Sequence, residues 1–160
     1  MCLTTVIATK IPSHDAEIHG WKVVAIRKDK KGRAGFGPPI REYTKVWMYA
    51  PIGEWLEDPN HETVYPTKAS LPKTYMAGFH AYLDREGAML KLNELHSYLL
   101  NSTRYVIVKV TLKALLAIGT EHIGPHNHPI CVSTVAVGNM IRIDAVEWNS
   151  IKEAGDEPDR

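Results

Sequence analysis

Long apolar runs are missing from this 160-residue chain. Nothing in it approaches the roughly 18 consecutive apolar residues that a membrane-crossing helix requires. A charge excess of either sign is missing too. The 19 Lys and Arg against 18 Asp and Glu leave a formal net charge of +1. The total therefore gives no electrostatic pull toward nucleic acid or an anionic membrane. Cysteine is scarce: Cys2 and Cys131 are the only two. The Met1–Lys10 stretch has no basic segment ahead of an apolar one, so it does not read as a secretory signal. Two reduced thiols and a cytoplasmic setting are expected. Familiar chemistry motifs are missing as well. There is no phosphate-binding P-loop, no Rossmann glycine fingerprint, no Gly-x-Ser-x-Gly elbow and no His-Glu-x-x-His pair.

What is present is an ordinary globular balance, 44% hydrophobic and 23% charged, which excludes wholesale disorder. The length suits one domain, expected over 1–150, followed by an acidic tail, 151–160, that frays. Trp21 to Ile26 is rich in β-branched residues and reads as a strand after Gly20. Tyr43 to Tyr49 has strand composition, whereas Pro59, Pro66 and Pro72 mark 54–75 as a surface excursion. Asp84 is placed to cap a helix over 85–100. Ala88, Met89, Leu92, Leu95, His96 and Leu99 recur there at helical spacing. Strands are expected at 105–110, 114–118, 130–137 and 140–143. The intervening 119–129 reads as a loop, and Gly138-Asn139 as a turn. One helix among many short strands predicts an α+β fold: a mostly antiparallel sheet, one long helix and long irregular loops.

Four groups of residues carry candidate chemistry. Cys2 would become the N-terminal residue once the initiator methionine is removed. Its thiol would then share a residue with an α-amine able to act as its base. His80, in Gly78-Phe79-His80-Ala81-Tyr82, has the side chain best matched to proton transfer near neutrality. His122, His126 and His128, with Cys131, offer the ligand types zinc prefers, and zinc is the one cofactor the sequence suggests. Against that stands a solvated polar loop, since the spacing matches no established zinc signature. Trp47, Tyr49, Trp55 and Tyr65, near Arg41, Glu42 and Lys45, are aromatics that line a pocket or cover the sheet. Phe79 and Tyr82 extend that candidate binding surface. The basic run Arg27 to Arg33 lacks interleaved aromatics and reads as a solvated turn.

Met1-Cys2-Leu3, Trp21-Lys22-Val23-Val24, Gly78-Phe79-His80-Ala81 and the strands around 105–137 together resemble a group of small phage and prophage proteins. The resemblance spans 1–10, 20–26 and 75–143. It implies an accessory role during infection: binding, and inhibition of a host defence protein or host enzyme. It bears on Cys2 and His80, which fall in the matching segments, and not on the 122–128 histidines. A further likeness, to ADP-ribosyltransferases, implies a catalytic glutamate on a late strand, for which Glu147 is the candidate. Three readings follow. The first is a phage-type protein acting by contact on a host protein or a small nucleotide-like ligand. The second is a small transferase or hydrolase with Cys2 as nucleophile and His80 as acid and base. The third is a zinc-stabilised module.

Overall fold

The computed structural model describes residues 3–9, 16–28, 34–37, 52–58, 63–64, 74–98, 104–124 and 131–152. Nine strands and one helix lie among them: β1 Thr5–Ala8, β2 Ile18–Lys28, β3 Ala34–Gly37, β4 Trp55–Glu57, β5 Thr63–Val64, β6 Tyr75–Met76, β7 Phe79–Tyr82, α1 Arg85–Tyr98, β8 Arg104–Ile123 and β9 Cys131–Lys152. The α+β expectation is wrong: the fold is mostly β, with one helix of 14 residues.

The error has identifiable sources. The expected break between 110 and 114 does not exist, because β8 runs unbroken through Ala114, which takes a positive φ of 50°. The expected loop at 119 begins as strand: β8 carries on to Ile123. The expected turn at Gly138-Asn139 lies inside β9. Gly138 serves close approach instead, since a β-carbon there would stand 2.8 Å from the Lys113 carbonyl oxygen. Long-range pairing along β8 and β9, from Tyr105↔Lys152 to Ile123↔Cys131, overrides the local turn signals. The proline-rich excursion also holds short strands, β4 and β5.

The large sheet closes on itself. β8 pairs with β2 along one side and with β9 along the other. β9 pairs with β7, and β7 meets β2 at Trp21↔Tyr82. Alternation along the strands then separates two apolar clusters. Val24, Phe79, Ala81, Val106, Val108, Val110, Leu112 and Ala136 belong to one, which contains no helix residue and fills the ring. Val23, Ala25, Tyr82, Tyr105, Ile107, Val135 and Val137 belong to the other, which takes Ala88, Leu92 and Leu95 from α1. Asp84 caps that helix as expected, its Oδ1 accepting the Gly87 N–H at 2.6 Å. Leu92 and Leu95 are buried and His96 is exposed, while Leu99 lies outside the described residues. No helix among the described residues is long and apolar enough to cross a membrane.

β1 lies along β8, with Thr5↔Thr120 and Val6↔Gly119 in register. Gly119 is what lets it sit there: a β-carbon at 119 would run into the Thr5 carbonyl oxygen and the Leu3 side chain. Gly119→Ala is expected to destabilise the fold by roughly 2 kcal/mol, lowering Tm by about 5 °C. Thr4, whose N–H donates to the Thr120 carbonyl, should lose amide-exchange protection in the same variant. Unchanged protection at Thr4 would show that β1 is not held this way.

Candidate functional site

His80 sits on β7 with 8% of its surface exposed. Its Nδ1 is 3.0 Å from the Gly78 carbonyl oxygen, which can only accept, so Nδ1 carries the ring hydrogen. Nε2 is left as an acceptor and takes the Tyr75 hydroxyl at 3.2 Å. Tyr75, held on β6 by the β5 pairing, accepts the Leu3 N–H at 2.9 Å. The chain Leu3–Tyr75–His80–Gly78 thus joins the N-terminal segment to β7, its first link spanning the 72 positions from Leu3 to Tyr75. Cys2 itself lies outside the described residues. Burial, and then the charge of Lys22, push the His80 imidazole down to about 3.

Lys22 comes from β2. Its Nζ donates to the His80 carbonyl oxygen at 2.6 Å, at the point where β2 and β7 have parted after Trp21↔Tyr82. Burial lowers its amine to about 8, against the pull of Glu121 and Asp58. On the helix side, the Tyr82 hydroxyl donates to Glu121 Oε2 at 2.8 Å. Lys91 of α1 bridges Glu121 at 3.1 Å and Glu94 at 2.5 Å. Burial opposes the Lys91 charge, but Glu121 and Glu94 outweigh it and raise the amine above its ordinary value. Burial, followed by Glu121, raises the Tyr82 phenol strongly. Tyr82 and Phe79, named from the sequence as binding residues, are core: 0% and 6% exposed.

The zinc candidates do not converge among the described residues. His122 stands opposite Val132 and Cys131 opposite Ile123 across the β8–β9 ladder. Alternation therefore sends His122 and Cys131 to opposite faces. Cys131 is an exposed free thiol, and the buried Nδ1 of His122 has no hydrogen-bond partner. No described group of three or more His, Cys, Asp or Glu could hold a metal ion. His126 and His128 lie outside the described residues, as do Trp47, Tyr49, Tyr65, Arg41, Glu42 and Lys45. Of the basic run, 29–33 lies outside them too. Glu147, the glutamate of the transferase likeness, is paired with Arg85 at 2.9 Å.

A patch that sequence reading did not find crosses the outer face of the ring. Trp55 of β4 is in register with Arg142 of β9, Arg142 with Thr111 of β8, and Thr111 with His19 of β2. Directly opposed residues share a face, so these four side chains line up across four strands. The Arg142 guanidinium lies 4.8 Å from the centre of the Trp55 ring and the Lys113 amine 4.7 Å from it. Lys113 is paired with Glu17 at 2.8 Å, and that hydrogen bond holds the Glu17 carboxyl below its ordinary value. Trp55 alone was visible as a candidate. The one sequence signal for the rest is the Ile141-Arg142-Ile143-Asp144 alternation, which puts Arg142 and Asp144 on one face.

No protein-family model, curated protein or solved structure matches this chain.

Tyr75→Phe removes the hydroxyl from its bonds to Leu3 and His80 and is expected to cost about 1–3 kcal/mol in denaturant unfolding. The His80 ring also sets an acid limb. It titrates near 3 when folded against an ordinary 6.5. Between those values the unfolded chain alone takes the proton. The contribution of His80 is therefore complete above about 6.5 and drains away as pH falls toward 3. Unfolding at pH 4 should show a loss of roughly 3 kcal/mol relative to pH 7 that is absent in His80→Gln. An equal acid loss in that variant would remove His80 as its source.

Proposed function

We propose that this chain acts by contact: a binding protein of the phage-accessory kind that engages a host protein inside a bacterial cell. The outer-face patch carries the reading. Trp55 and Arg142 are of the residue types that dominate binding energy at protein interfaces, and Lys113 lies against the same ring. The partly exposed indole offers a large apolar area at low entropic cost, and the two cations define which partners fit beside it.

The rival, an enzyme built on Cys2 and His80, is disfavoured by the state of His80. Both ring nitrogens are committed to internal hydrogen bonds, and the ring stays neutral throughout the neutral range. Such an imidazole has no proton to give near pH 7 and no free lone pair to receive one.

Affinity capture from a bacterial lysate separates the two. Trp55→Ala and Arg142→Glu should each weaken retention of the captured host protein by about tenfold or more. Alkylating the Cys2 thiol, or replacing His80 with Gln, should leave it within about threefold. The reverse pattern, capture lost on alkylation and unmoved by Trp55→Ala, would reject the contact reading.

A further inference from the structure

His19 stands exposed on β2, at the end of the outer-face patch away from Trp55. Its Nδ1 lies 2.9 Å from Thr111 Oγ1. That hydroxyl has one proton, and the proton goes to Asp144 Oδ2 at 2.5 Å, because a carboxylate only accepts. Thr111 therefore presents a lone pair to His19, and Nδ1 must carry the ring hydrogen. In the neutral ring the remaining lone pair lies at Nε2. The relay is fixed at both ends. Thr111 is fully buried, and Asp144 is held through Oδ1 by Arg142 Nε at 2.7 Å. An imidazole whose Nδ1–H is held in this way keeps one tautomer and one ring orientation. Around it stand two ion pairs, Lys113 with Glu17 and Arg142 with Asp144, so cations and carboxylates alternate on this face. His80 has no such opening, since both of its nitrogens face inward.

We propose that His19 Nε2 is a nucleophilic site that accepts a phosphoryl group from a small anionic donor of the acyl-phosphate class. The Nε2 lone pair forms the N–P bond. The P–O bond to the acyl group breaks, and the carboxylate leaves with its electron pair. Nδ1 keeps its hydrogen and its bond to Thr111, and Asp144 keeps the Thr111 proton turned away from the ring. His19 is the reacting group; Thr111 and Asp144 are positioning residues. This site does not rest on the contact reading, because its chemistry is measured on the isolated chain.

Incubation with acetyl phosphate at about pH 8, followed by peptide mapping under non-acidic conditions, reads the acid-labile label at each histidine. His96, exposed on α1 without such a relay, is the internal reference. His19 should be labelled about tenfold faster than His96. Thr111→Val should bring it close to the His96 rate. Asp144→Asn, at an exposed position that spares the core, should slow it severalfold while leaving His96 unchanged. His19→Gln should abolish the label. Equal rates at His19 and His96 in the unaltered chain would overturn the assignment, as would a His19 rate unmoved by both relay substitutions.

Discussion

A ring of strands closes only where its first and last members come within backbone reach, and here that happens over a very short stretch of β2 and β7. Gly20 makes the approach possible: a β-carbon at that position would stand 2.5 Å from the Tyr82 carbonyl oxygen. Two residues on, where the strands have parted, Lys22 reaches across to the His80 carbonyl, which the ladder no longer serves. Burying an amine costs free energy, but leaving a buried carbonyl unpaired costs more than a hydrogen bond is worth. The seam positions everything downstream of it. β7 delivers His80 to Tyr75 and, two residues along on the same face, Tyr82 to Glu121, and α1 starts at its end.

Two histidines show how much strand placement decides. His80 and His19 are the same side chain on neighbouring strands. One is enclosed between a tyrosine hydroxyl and a carbonyl, and its charged form is strongly disfavoured. The other is exposed, with one nitrogen backed by a threonine and a carboxylate. Enclosure turns the first into a structural clasp for the N-terminal segment. Backing from a single side leaves the second free to react.

Local signals were legible where local physics decides. The Asp84 cap and the Ala88, Leu92 and Leu95 stripe locate α1. The β-branched run beginning at Trp21 locates the middle of β2. The sequence also drew attention to His80, but nothing in it ties Tyr75 to Leu3, because that link spans 72 residues. The length of β8 and β9 was hidden for the same reason. Gly138 looks like a turn residue until the Lys113 carbonyl is seen against it. The outer-face patch depends on the register of four strands, and register is set by partners far apart in sequence. Apart from Trp55 and the alternation around Arg142, its residues carry no local signal in the sequence.

The pairing of Thr5 with Thr120 joins residues 115 positions apart. During synthesis, β1 leaves the ribosome long before the strand it will lie against has been made. At ordinary elongation rates of about 5–20 residues per second, that wait lasts roughly 6–25 seconds. The β8–β9 hairpin, by contrast, joins neighbours in sequence and can zip as soon as its second strand emerges. The N-terminal strand therefore has a long wait for its partner, and Thr5 can meet Thr120 only after the chain has been made through β8.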